Sequence, residues 1–369
     1  MKDKQKAIIL PLIVFLINRV SLFFIVYLGL LIYPPCQGPE LWRSFPHNLF
    51  LDGWARWDSS WYFSIVKHGY SYVPDQWSNI AFFPLYPLLI KIFNPIFKYL
   101  PLTGIVISNV CFLMSLIILY NIAKRKFGET VAFKTLLFFV LFPFSFFFSA
   151  PYSESLFLLL ALLSFYYSEK NKWGIASFCA MLCSVTRVVG IALLPALLLK
   201  YLEKIKFDFR KIKSNVIYLF VIPMGILCYM FFLYVKFGDP LLFLKVQQTW
   251  ERHIFNFSPH LYVLSHIPRN YLDILHLFNL VLTIFFGYLL WPVFRYLGIS
   301  YAILSLSLIF IPFITGLESM GRYLSVVFPP FIIMGYIINN PKIYYSLSIL
   351  FTILLIGFSI FFSHWGWVA

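Results

Sequence analysis

The chain has 369 residues, 61% of them hydrophobic, 21% aromatic and only 12% charged, with a mean hydropathy of +0.84. Soluble domains carry about 25% charged residues, so an ordinary water-soluble domain is excluded. The net charge of +15 would suit nucleic acid, but the cations cluster at 2–6, 124–126, 170–172 and 200–213, in gaps between apolar runs; this is the positive-inside pattern of a multi-pass membrane protein, with membrane lipids and no nucleic acid as its surroundings.

The first predicted element is the apolar run 7–33, preceded by Lys2, Lys4 and Lys6. It is too long for a signal peptide and lacks a small-residue cleavage site, so it reads as an uncleaved transmembrane helix. Residues 34–100 form a first outer loop with juxtamembrane helices. Within it, 81–100 carries three prolines and two lysines and is expected to lie along the outer surface rather than cross. Predicted spans follow at 105–123, 131–149 and 156–167, with 150–153 an outer turn.

A single crossing over 173–199 would put the basic loop 200–213 outside. The segment reads instead as a broken hairpin that enters from the cytoplasm, bends near Thr186 and Arg187 or at Gly190, and returns; such backbone is tolerated where protein or a cavity surrounds it. Spans at 216–235, 277–294, 300–315, 323–338 and 343–362 complete the chain, with a second outer loop at 236–275. The expected fold class is all-α: one transmembrane domain over 1–369, a helical bundle with about ten spanning helices and two long outer loops.

This topology sorts the acids. Of fourteen Asp and Glu residues, nine fall outside or near the outer face: Glu40, Asp52, Asp58, Asp75, Glu154, Asp239, Glu251, Asp273 and Glu318. A catalytic site would therefore face the extracytoplasmic side. Cys36, Cys111, Cys179, Cys183 and Cys228 have neither metal-ligand spacing nor a disulfide pattern. No glycine-rich phosphate loop follows a strand, which speaks against nucleotide chemistry.

Four constellations can carry chemistry. On a helix, Trp54, Trp57, Asp58 and Trp61 would share one side with Tyr62 beside them; this suits a sugar stacked on rings with an acid at a hydroxyl, or equally an interfacial aromatic belt. Glu154 opens a helix after an outer turn, either as a site acid or as a complement to the helix dipole with Ser153 as cap. Arg19, Arg187 and Arg322 are embedded in apolar runs, where an arginine faces the interior or a wet cavity. Each fits a lipid phosphate or an internal ion pair, such as Arg322 with Glu318. The loop 237–253 brings Gln248, Trp250, Arg252 and His253 close together, as substrate contacts or as a solvated amphipathic helix. Asn256 begins a glycosylation sequon that Pro259 weakens.

In order, "RWDSSWYFSIVKHGY" (56–70), "AFFPLYPLL" (81–89), "SAPYSESLFLLLALLSFYY" (149–167) and "SVTRVVGIALLP" (184–195) resemble the PIG-V family of mannosyltransferases, with support from "GDPLLFLKVQQTW" (238–250) and "GRYLSVVFPPF" (321–331). That resemblance implies a GT-C-type membrane fold and an inverting transfer of a sugar, mannose first, from a polyprenyl- or dolichyl-phosphate donor to a glycolipid, glycan or protein acceptor. It implies Asp58 as catalytic base rather than Asp52, Arg187 and Arg322 on the donor phosphate, and Trp57, Trp61, Tyr62, Glu154, Gln248, Trp250 and Arg252 as substrate contacts. No cofactor and no metal are expected. The compact, short-looped chain looks prokaryotic, which would place it in the plasma membrane rather than the endoplasmic reticulum and replace a GPI acceptor with another glycoconjugate. A transporter or flippase of lipid-linked sugars is the competing class; it would show two similar halves, and the sequence has no internal repeat.

Overall fold

The computed structural model describes residues 3–33, 44–250, 252–253, 255 and 257–368. Cys36, Glu40, Glu251 and Asn256 lie outside them. Among the described residues the structure is helical, without a strand. In chain order the helices are α1 (Asp3–Ile32), α2 (Leu49–Asp52), α3 (Ser59–His68), α4 (Leu85–Phe97), α5 (Leu100–Phe127) and α6 (Glu129–Leu141). Next come α7 (Glu154–Glu169), α8 (Trp173–Thr186), α9 (Leu193–Lys204), α10 (Met224–Phe237), α11 (Leu242–Lys245) and α12 (Ser258–Ser265). The last are α13 (Tyr271–Leu297), α14 (Ile299–Phe313), α15 (Met320–Ser325), α16 (Phe328–Ile337) and α17 (Pro341–Ser363).

Among the described residues, five helical segments are long and apolar enough to cross a bilayer: Gln5–Ile32, Leu100–Phe127, Ser214–Phe237, Tyr271–Leu297 and Pro341–Ser363. The chain is an integral membrane protein. The other predicted spans are shorter or interrupted. The helix expected over 131–149 stops at Leu141, because Phe142 (φ −53, ψ 135) precedes Pro143 and is driven out of the helical region. The chain continues through a buried irregular stretch with one tight turn at Ser145–Phe148. The span expected over 323–338 is two helices, α15 and α16, separated by Val326 and Val327 ahead of Pro329 and Pro330. Such breaks are tolerated because these segments are enclosed by protein, where backbone groups find partners other than lipid. The α4 helix, at 13 residues, reaches about 20 Å, short of the ~30 Å hydrocarbon layer. It buries Tyr86 and Ile90 and exposes Leu88, Ile92 and Ile96.

Two compact units are formed. The first comprises residues up to 66, 86–159 and 331–368. Here α1 packs on α5, α6 and α17. Phe112 and Phe139 stack on Phe148 at 4.5 and 5.5 Å between ring centres, and Phe331 meets Phe139 edge-on. Arg19 belongs to this core. Its Nη1 donates to the Ser145 carbonyl (3.1 Å) and to Ser149 Oγ (3.0 Å), and its guanidinium lies 4.4 Å from the Phe112 ring centre. It holds the irregular stretch against α1, which is the internal role of the two weighed.

The second unit comprises 67–85 and 160–330. In it α8 packs against α10, and α14 against α9, α13 and α15. The break expected inside 173–199 is present. The α8 helix ends at Thr186, Arg187 is extended (φ −156, ψ 144), and a tight turn at Val188–Ala192 leads into α9. Gly190 makes the fold-back possible: a Cβ there would lie 2.3 Å from the Cys183 carbonyl carbon.

Candidate active site

The Trp-Asp motif in the first unit is not one helix face. The α3 helix begins only at Ser59; Trp54, Trp57 and Asp58 precede it, and Trp57 adopts φ +49. That left-handed backbone costs a bulky residue about 1–3 kcal/mol, and the surroundings hold it in place. Trp54 is 1% exposed and stacks on Phe23 at 4.1 Å, so it is core. Trp57 meets Trp365 and Trp367 edge-on at 5.6 and 5.0 Å. Its indole N–H is buried and has no acceptor among the described residues.

The two aspartates are separated in role by their neighbours. Asp52 is buried; its Oδ2 takes a 2.7 Å bond from Arg56 Nη2 and its Oδ1 accepts the Phe45 N–H. Arg56 also donates from Nε to the Ser363 carbonyl (2.9 Å) and lies over the Trp365 ring. Asp52 is thus committed to structure. Asp58 is half-buried, immediately ahead of α3, and its carbonyl accepts the Trp61 N–H (3.1 Å), the place where a helix favours aspartate.

Two tyrosines fix this turn. The Tyr152 hydroxyl donates to the Arg56 carbonyl and accepts the Asp58 N–H, both at 3.2 Å. The Tyr62 hydroxyl donates to Ser153 Oγ (3.0 Å), and its ring meets Tyr86 edge-on at 5.0 Å. The "PYSES" stretch is therefore the scaffold of the Trp-Asp turn. Glu154 is 2% exposed in the first turn of α7. Trp61 is half-buried on α3.

The second unit gathers the arginines. The guanidinium carbons of Arg187, Arg252 and Arg322 lie 5.0, 5.1 and 5.4 Å from the ring centre of one residue, Tyr323. Arg187 comes from the break after α8, Arg252 from the connection between α11 and α12, and Arg322 from α15. The three guanidiniums share one aromatic face, and their planar forks are of the chemistry that suits anionic oxygens. Arg252 also donates to Ser319 Oγ at 3.2 Å. Gln248 is exposed, and Trp250 stacks on Trp77 at 5.5 Å.

Asn279, fully buried on α13, organises the turn that presents Arg322. It donates from Nδ2 to the Leu317 carbonyl and accepts the Gly321 N–H at Oδ1, both at 3.1 Å. Between them Ser319 adopts φ +62. Sequence reasoning missed Asn279, Tyr152 and Tyr323. Tyr323 stands beside Arg322 and could have been marked by that adjacency; the other two have no local signal.

A sequence profile of the family described as mannosyltransferase (PIG-V) matches residues 6–257. The chain belongs to the PIG-V mannosyltransferase family. Within this PIG-V match lie the Trp-Asp turn, Glu154, Arg187 and Arg252; Arg322 and Tyr323 lie beyond it. Similar curated proteins include GPI mannosyltransferase 2 of Cryptococcus neoformans, 28% identical over 148 residues, covering 37% of this chain and 34% of that protein. Human GPI alpha-1,6-mannosyltransferase 2 is 30% identical over 135 residues, covering 33% and 26%. The matches thus span about a third or less of these relatives. Among solved structures, ArnT from Cupriavidus metallidurans bound to undecaprenyl phosphate superposes with a TM-score of 0.53 at 13% identity, covering 91% of this chain and 62% of ArnT. Its apo form gives 0.51 at 14% identity, covering 90% and 61%. This PIG-V family member therefore has the ArnT-type membrane fold, the architecture expected from the GT-C resemblance.

Proposed function

We propose that the protein is an inverting glycosyltransferase that moves a sugar, mannose first, from a polyprenyl-phosphate donor to a glycolipid, glycan or protein acceptor on the extracytoplasmic side. The observation that carries this reading is the convergence of Arg187, Arg252 and Arg322 on Tyr323, a binding place for a phosphate. The family membership supplies the sugar, and the ArnT structure with undecaprenyl phosphate supports a lipid-borne phosphate as leaving group.

In this mechanism the acceptor oxygen forms a bond to the anomeric carbon as the bond from that carbon to the phosphate oxygen breaks. The hydroxyl proton passes to the Asp58 carboxylate, and the bonding pair leaves with the phosphate. General-base assistance contributes about 10²–10⁴-fold. The arginines hold the phosphate and stabilise the charge that grows on it, so they act more strongly in the transition state than before it. The strained, tyrosine-locked turn fixes Asp58, and the Trp57 N–H is a donor for a sugar hydroxyl. Trp61, Tyr62, Glu154, Gln248 and Trp250 complete the proposed contacts. The transfer is proposed to need no metal, the arginines supplying the positive charge.

The test is transfer of labelled mannose from polyprenyl-phosphate mannose to a membrane glycolipid extract by the purified full chain and by Asp58→Asn. Transfer by the wild type alone upholds the reading; transfer by both removes Asp58 as base. Label that crosses a vesicle membrane while remaining on its donor lipid would replace the transferase by a flippase.

A further inference from the structure

Trp77 is 68% exposed, yet its plane is fixed. Its ring stacks on Trp250 at 5.5 Å and 13°, Trp250 is met edge-on by Phe82, and the Trp77 Nε1 donates to the Thr249 carbonyl at 2.9 Å. The loop that carries it is equally ordered. Asn79 accepts the Ser71 N–H and donates to the Gly69 carbonyl, both at 3.0 Å; Ser78 Oγ donates to the Ser71 carbonyl, and Tyr70 Oη to the Phe82 carbonyl. At the tip, Pro74 and Asp75 (φ +58) occupy the corners of a turn closed from Gln76 N–H to the Val73 carbonyl.

We infer that the outward face of Trp77 is a stacking platform for a pyranose ring, with the exposed Asp75 and Gln76 beside it to meet hydroxyls. The inference rests on the glycosyltransferase reading and names a sugar subsite for it. A tryptophan that anchors a protein at a membrane surface uses its ring in the apolar layer and its N–H at the wet edge. The Trp77 N–H is already taken within the protein, and what remains on offer is a flat, pre-oriented face with the polar Asp75 and Gln76 next to it in the chain. The same stack leads towards the phosphate cluster: Trp250 precedes Arg252 by two residues, and the Arg252 N–H is bonded to the Gln247 carbonyl at 3.0 Å. A sugar on the platform is thus held by the segment that also supplies one of the three arginines.

The experiment titrates the full chain in detergent with mannotriose, and with mannitol as a ring-free control, reading tryptophan fluorescence and NMR saturation transfer to the pyranose C–H protons. Saturable mannotriose binding is expected, weaker by about 3–10-fold in Trp77→Ala and largely kept in Trp77→Phe. Asp58→Asn should bind as the wild type does, whereas platform binding by a wild type that transfers no sugar would remove the transferase reading and leave the subsite. In the kinetics, a raised KM for polyprenyl-phosphate mannose alone places the donor sugar on the ring, and a raised KM for acceptor alone places the acceptor sugar there; either upholds the platform. Absence of mannotriose binding, equal binding by Trp77→Ala, or a Trp77→Ala defect confined to partitioning into phosphatidylcholine vesicles overturns it.

Discussion

Replacing Asn279 by Ala should disable the arginine cluster without touching an arginine. The amide is the partner of two buried backbone groups, the Leu317 carbonyl and the Gly321 N–H, each at 3.1 Å. Alanine leaves both unpaired in an enclosed place, at about 1–3 kcal/mol each, so about 2–6 kcal/mol is lost from the turn over 317–321. That turn carries Ser319, which holds Arg252, and leads directly into Arg322. A shift of about 1 Å in a group that positions substrate costs about 10²-fold in rate. We therefore expect kcat/KM for transfer to fall by about 30–100-fold and amide exchange at Gly321 to accelerate at least tenfold. The assays are donor-dependent mannose transfer and hydrogen–deuterium exchange of the 317–322 peptide. Unchanged exchange at Gly321 would refute the structural premise, and faster exchange with undiminished transfer would refute the link from this turn to the phosphate site.

The remaining predictions concern other parts of the molecule. Asp52→Ala breaks the enclosed pair with Arg56 and should destabilise the protein by about 3–5 kcal/mol in thermal or denaturant unfolding, whereas Asp58→Asn should unfold like the wild type. Arg322→Lys keeps the charge but loses the planar fork, so transfer should fall by about tenfold or more with little change in unfolding. His260, on α12, packs edge-on against Phe313 at 4.4 Å, and burial holds its imidazole below the ordinary histidine range. The unfolded chain then binds a proton more readily than the folded one. Stability from this group is present above pH about 6.5 and is lost as the pH falls below it, and His260→Phe should flatten the pH dependence of exchange over 258–265.

The parts of this protein written in short-range pattern were legible in its sequence. The long apolar runs marked the spans. The basic loop 200–213 marked the break inside 173–199, because a single crossing there would have put that charge outside, and the bend was placed near Thr186 and Arg187 or at Gly190. Trp54 and Trp57 were misplaced on a helix, although Trp61 lies on one: spacing alone cannot register that Trp365 and Trp367 hold Trp57 at φ +49. Likewise the end of α6 was overrun because the apolar run 131–149 continues past Pro143. Asn279 and Tyr152 act through hydrogen bonds to backbone groups 38 and 96 positions away, and no local composition announces such partners.

The bond from Arg56 to the Ser363 carbonyl joins residues 307 positions apart. At about 5–20 residues per second, a ribosome needs roughly 15–60 s to make the chain between them. Throughout that interval the nascent protein has its Trp-Asp segment already emerged but without the α17 carbonyl or the Trp365 ring that hold Arg56. Maturation of the turn around Asp58 is therefore a late event in biosynthesis, and a polypeptide arrested before α17 would lack these restraints even with its earlier helices inserted.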